Sequence, residues 1–178
     1  MQRPIKIHSV PQITALQQMV NHSAAVYSEK LALEDLADTP IPRLTYGALQ
    51  KQVLRFGSAL RSIGIPERSH IALIGENRVQ WALSYLTLAY FNYVIVPIDR
   101  NLHENEILNV IHESDATVVI FSGQYEQLFA EARTSLHHVK QFICMDPPQP
   151  NSLFYSMPEL LRNASSLSPE EAPKVDPE

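Results

Sequence analysis

The 178-residue sequence contains a single cysteine, Cys144, so no disulfide can close within the chain. It has no basic run either: 14 Lys and Arg face 19 Asp and Glu, a net charge of -5. A nucleic-acid binder, which needs a basic patch, is therefore not expected. The longest apolar stretch is interrupted by Glu76, Asn77, Arg78 and Gln80, and the first eight residues hold no apolar core of signal-peptide length. A cytoplasmic protein is expected, with an acidic balance that serves solubility. Glycine is scarce and scattered. Gly47, Gly57, Gly64, Gly75 and Gly123 lie too far apart to build a phosphate-cradling loop. Neither G-x-S-x-G nor G-x-G-x-x-G after a strand occurs, so hydrolase and dinucleotide-binding readings lack their residues. The histidines (His8, His22, His70, His103, His112, His137, His138) show no H-x-x-x-H spacing, which with one cysteine leaves no zinc constellation. His137 and His138, adjacent in a loop, read as surface residues.

What the chain does have is apolar periodicity. With 45% hydrophobic and 19% charged residues, it is long enough for one domain with a real core. The organising stretch is residues 71–99. Residues 71–74 form an apolar run ended by Gly75; Val79, Leu83, Leu86, Ala89 and Tyr90 then recur at helical spacing; Val94, Ile95 and Val96 form a β-branched run closed by Pro97. Two strands joined by one helix make a βαβ unit with parallel strands and a right-handed crossover. An α/β fold follows from pattern alone.

The remaining chain extends that pattern. Leu16, Met19 and Val20 predict an amphipathic helix over residues 14–23, after a surface segment over residues 1–12. Residues 31–36 and 43–46 read as two strands around a proline-rich turn, an edge hairpin. From Thr45, a helix capped by its hydroxyl runs to about Ile63, with Leu49, Val53, Phe56, Leu60 and Ile63 on its buried face. Gly64 supplies the left-handed stop and Pro66 prevents continuation. Helices are predicted at residues 103–113 and 125–134, strands at 117–121 and 141–145, and a short helix at 157–162. Strands alternating with helices imply a mostly parallel sheet with helices on both faces. Residues 1–164 are expected to form this α/β unit, and residues 165–178 a mobile, Pro-rich acidic linker.

Gly75, Glu76, Asn77 and Arg78, with Trp81 behind them and the segment 96–99 after the next strand, resemble the N-terminal part of adenylate-forming (AMP-binding) enzymes, most closely the long-chain fatty acid–CoA ligases. Leu44, Thr45, Tyr46 and Leu49 are similar to that family's first core motif, and residues 102–122 to the helix and strand that follow. Two departures stand out. Ala48 occupies a position where the family usually has Glu, and Asn92 one where it commonly has Gly. The resemblance implies the N-terminal subdomain of an acyl-CoA synthetase-like fold, left incomplete. Its parent would use ATP, Mg²⁺ and coenzyme A to convert a fatty acid to an acyl-adenylate and then a thioester. The residues that such chemistry needs are a Gly/Ser/Thr-rich phosphate loop, a carboxylate and a catalytic Lys. None is recognisable here, so no catalytic, cofactor-binding or metal residue is assigned, and no cofactor is expected on this segment. It is read as the front of a longer ligase, inactive alone, whose partners are the rest of its own chain, the parent's fatty acid and, through exposed apolar surface, a second copy. Two alternatives remain: a ligase for aromatic or amino acids or for carrier-protein loading, and a non-catalytic binding module.

Individual residues have plainer readings. Glu76, Asn77 and Arg78 follow a strand, where α/β sheets place ligands. The simpler account makes Asn77 the cap of the next helix and leaves Arg78 solvated or paired with Glu76. Trp81 reads as core before it reads as the wall of an acyl pocket. Asn92 is expected at positive φ, and Asp99 is expected to start the turn into the following helix.

Overall fold

Residues 12–36, 41–150 and 152–175 are described by the computed structural model. Helix α1 (Leu16–Tyr27) fulfils the first helical prediction and runs a turn beyond it. Strands β1 (Leu31–Glu34) and β2 (Arg43–Thr45) pair antiparallel as expected, but as a separate two-stranded sheet and not at an edge of the main one. The expected surface segment before residue 12 lies outside the described residues, as does most of the proline-rich turn of the hairpin. Helix α2 (Tyr46–Ser62) begins at Thr45, whose Oγ1 accepts the Ala48 N–H at 3.2 Å. It ends before Gly64, which takes φ 81°.

The central βαβ unit is β3 (His70–Ile74), α3 (Val79–Tyr90) and β4 (Val94–Pro97). It is followed by α4 (Glu104–Glu113), β5 (Val118–Phe121), α5 (Glu126–Ala132), β6 (Gln141–Cys144), β7 (Tyr155–Ser156) and α6 (Met157–Asn163). The five-stranded sheet has the order β4-β3-β5-β6-β7, and every neighbouring pair is parallel. Strand β7 is two residues long, too short to leave a period in the sequence. Alternation along the strands divides the core into two layers. Ile71, Leu73, Val118, Ile120, Ile143 and Met145 pack with α1, α2, α3 and α6. Ala72, Ile74, Val119, Phe121, Phe142 and Cys144 pack with α4 and α5. The inner strands β3, β5 and β6 bury both faces, which is why these segments read as unbroken apolar runs, whereas the edge strand β4 leaves Val94 exposed.

Two details explain local sequence choices. Asn92 takes φ 60° between α3 and β4, as its place in the pattern predicts, because a short polar side chain tolerates the left-handed region. In β4, the Val94 N–H donates to Ser69 O and the Ile98 N–H to Leu73 O, both at 3.0 Å. Alternate N–H groups therefore point at β3, and the backbone nitrogens of Ile95 and Pro97 point away from it. Proline lacks only a donor that the edge strand does not use.

The C-terminal segment differs from the expected mobile linker. Ala172 is buried in the core and Leu167 packs against it. Gln17 Nε2 donates to Tyr90 O at 3.1 Å and to Pro173 O at 2.7 Å. Ser58 Oγ and Ser165 Oγ share a hydrogen bond of 3.1 Å. Residues 165–175 are thus anchored on α1, α2 and the end of α3; the last three residues of the expected linker lie outside the described residues. Acidic composition misled here because a few apolar anchors, spaced along a polar segment, suffice to dock it. Among the described residues, no helix is long and apolar enough to cross a membrane.

Candidate functional site

From β3 the chain moves to β4 on one side, then crosses back to β5 on the other. The carboxyl ends of β3 and β5 therefore flank a topological switch point, the place where open parallel sheets hold ligands. Three loops meet there. Gly75 follows β3, and a Cβ on it would stand 3.3 Å from both Cβ and Oγ of Ser122, so glycine lets the loop after β3 close on the loop after β5. Arg78 donates through Nη1 and Nη2 to Asp146 Oδ1 and Oδ2, at 2.8 and 2.9 Å, a bidentate pair reaching from the β3 loop to the end of β6. The Gly123 N–H donates to the same Asp146 Oδ2 at 2.7 Å. Ser156 Oγ then donates to Asp146 O at 3.0 Å, adding the start of α6. One carboxylate and its backbone thus tie the ends of four strands.

The electrostatics follow from that geometry. Burial alone would push the Asp146 carboxyl up, but the Arg78 hydrogen bonds, the Gly123 N–H and the Arg78 charge together hold it below the usual carboxylate range. Burial likewise opposes the Arg78 charge, and the Asp146 hydrogen bonds and charge outweigh it, with Glu76 adding to the effect. Glu76 Oε2 lies 3.9 Å from Arg78 Nε, too far for a hydrogen bond. Arg78 is therefore neither solvated nor mainly paired with Glu76, as the local sequence suggested. Its partner is 68 residues away. Three desolvated polar atoms at this rim have no protein hydrogen-bond partner: Ser122 Oγ, Glu76 Oε2 and Arg78 Nε. Tyr125 borders them, its hydroxyl donating to Arg100 O at 3.4 Å; burial, and then the Glu76 charge, push its pKa up.

The start of α3 departs from expectation as well. Arg78 holds the N-cap position, and Asn77 makes no cap. The Val79 N–H donates instead to both carboxylate oxygens of Asp35, at 2.9 and 3.0 Å, so the β1–β2 hairpin supplies the anion at this helix N-terminus. Beside it lies an open groove of about 310 Å³, lined by residues including Leu33, Asp35, Asn77, Val79, Trp81 and Ala82. Trp81 is half-buried and not enclosed core: its ring stacks on Tyr85 with centroids 5.6 Å apart and borders this groove. Asp99 does start its turn, accepting the Asn101 N–H at 2.9 Å.

The arrangement holds and orients the loops that meet at this rim. A bidentate Arg–carboxylate pair stays charged on both sides near neutral pH. Burial pushes the Cys144 thiol up to about 11, which leaves it protonated and unreactive. Among the described residues, no group of three His, Cys, Asp or Glu side chains converges on a metal position. The five glycines are dispersed in the fold: Gly47 and Gly57 lie inside α2, Gly64 ends it, Gly75 is packed on Ser122, and the Gly123 N–H is taken by Asp146.

Comparison with known proteins places these features in context. A family model described as AMP-binding enzyme matches residues 20–178. A crotonobetaine/carnitine–CoA ligase of Salmonella arizonae is 26% identical over 162 residues, covering 80% of this chain and 31% of that protein. The solved structure of the anthranilate CoA ligase AuaEII, in complex with anthranoyl-AMP, is similar with a TM-score of 0.78 at 18% identity, covering 92% of this chain and 30% of that one. A long-chain-fatty-acid-CoA ligase (FadD1) from Archaeoglobus fulgidus gives a TM-score of 0.77 at 16% identity, covering 95% and 33%. The chain spans about a third or less of the curated relatives that it matches.

Proposed function

This chain belongs to the AMP-binding enzyme family, and from that membership we propose that it is the N-terminal part of an ATP-dependent acid–CoA ligase. The observation that carries this reading is the family match over residues 20–178, which takes in the whole five-stranded parallel sheet. In this proposal the parent activates a carboxylic acid as an acyl-adenylate and passes the acyl group to coenzyme A. The parts that hold ATP, Mg²⁺ and coenzyme A come from later in its chain. This segment contributes a rigid sheet, and the Arg78–Asp146 pair keeps the carboxyl ends of that sheet in register.

The finer proposal is a long-chain fatty acid as the substrate, supported by the resemblance of Gly75, Glu76, Asn77, Arg78 and Trp81 to that branch. Two experiments test the two levels separately. The purified 178-residue chain is expected to give no ATP–pyrophosphate exchange with any acid, and measurable exchange would overturn the division of labour. The complete reading frame encoding this segment, assayed for thioester formation across short, long-chain and aromatic acids, is expected to prefer long chains. A preference for aromatic or short acids would overturn that specificity while leaving the ligase reading intact.

A further inference from the structure

Four of the seven histidines gather at the amino ends of the strands, opposite the rim described above. His70 opens β3 and its Nδ1 donates to Ser114 O at 2.6 Å, so it is already engaged. His112 lies in the last turn of α4, and His137 and His138 in the loop before β6. Sequence spacing gave no reason to connect them. The fold brings the His112 and His138 rings edge-on, with centroids 5.5 Å apart and planes at 85°. His137 follows at 5.9 Å from His138.

That separation has chemical meaning. A metal–nitrogen bond of about 2.1 Å puts the centres of two imidazoles sharing one ion roughly 5–6 Å apart. The polar atoms suit it too. His138 Nε2 is desolvated and has no hydrogen-bond partner. His112 Nδ1 lies 3.3 Å from Glu113 Oε1, the carboxylate contact that places the ring proton on Nδ1 and leaves Nε2 with a free lone pair. The carboxyl end of α4 adds the negative end of a helix dipole. Because no three ligating side chains converge among the described residues, two imidazoles are the protein's share.

We propose that His112 and His138 form a two-imidazole site for a borderline divalent transition-metal ion such as Zn²⁺ or Ni²⁺, with water in the remaining positions. Imidazole ligands select such ions over Mg²⁺ and Ca²⁺. Occupancy clips the end of α4 to the loop before β6 and stabilises the fold by mass action. The site is independent of the ligase reading, since it needs neither nucleotide nor acid.

The test uses the untagged 178-residue chain, titrated calorimetrically with NiCl2 and ZnCl2, with MgCl2 as the control ion, and followed in parallel by thermal unfolding. One ion per chain and a raised midpoint are expected with Ni²⁺ and Zn²⁺ only. His112→Gln and His138→Gln should each weaken binding about tenfold or more, while His22→Gln on α1 leaves it unchanged. The His112 side chain is 65% exposed, so its substitution does not threaten folding and decides the matter by itself if His138→Gln misfolds. No Ni²⁺ or Zn²⁺ binding by the unaltered chain, or binding that His112→Gln leaves intact, overturns the proposal.

Discussion

Replacing Asp146 by Asn tests the tie across the strand ends. The change keeps the shape of the side chain and removes its charge. Asp146 accepts two hydrogen bonds from Arg78 and one from Gly123, so in any orientation the new amide NH2 faces a donor. Arg78, with its side chain only 12% exposed, then keeps a half-desolvated charge whose nearest remaining carboxylate is Glu76, 3.9 Å from its Nε and not hydrogen-bonded to it. Breaking a fully buried pair costs about 3–5 kcal/mol. The Asp146 side chain is 25% exposed, so solvent relieves part of that, and a loss of roughly 2–3 kcal/mol is expected. For a domain of this size that corresponds to a midpoint lower by roughly 4–12 °C. Urea unfolding followed by circular dichroism measures it, and Arg78→Met/Asp146→Asn completes a double-mutant cycle in which the double variant should lose less than the sum of the singles. The pH dependence has a definite sign. The folded Asp146 pKa lies below its unfolded value of about 3.9, so its contribution is fully present above that value and is lost as pH falls through the folded pKa. Asp146→Asn should therefore flatten the acid limb of the stability curve. A variant within about 0.5 kcal/mol of the parent, with an unchanged acid limb, would refute the reasoning.

Three further outcomes follow from particular contacts. A Cβ at Gly57 would stand 2.0–2.2 Å from the fully buried Phe91 ring, so Gly57→Ala should cost about 2–3 kcal/mol in urea unfolding, and a neutral result would mean that α2 and Phe91 can separate. Asn92, at φ 60°, should tolerate Gly with no loss and lose about 1 kcal/mol as Ala; equal stability of the two variants would show that the left-handed conformation is not required. Exposed Val26, Tyr27, Leu31, Val94, Leu153 and Tyr155 predict weak, concentration-dependent self-association, and a clean monomer in sedimentation at high concentration would contradict it.

Much of the scaffold was legible in the order of residues because its causes are local. Thr45 caps α2, Gly64 stops it, Asn92 takes the left-handed turn and Asp99 starts the next one, each through atoms within a few residues of its own backbone. The apolar runs of β3, β5 and β6 announced a parallel sheet buried on both faces, since the period of a strand is set by its own geometry. Sequence alone also supported the family resemblance. What tertiary structure decided was pairing at long range. Arg78 could not be matched with Asp146, Val79 with Asp35, or His112 with His138 until the sheet set their loops side by side. Strand order, the docking of residues 165–175 and the half-exposure of Trp81 belong to the same class. Each depends on which surfaces remain after the elements pack, and a one-dimensional pattern carries hydrophobic period and turn chemistry but not the identity of a neighbour 68 residues away.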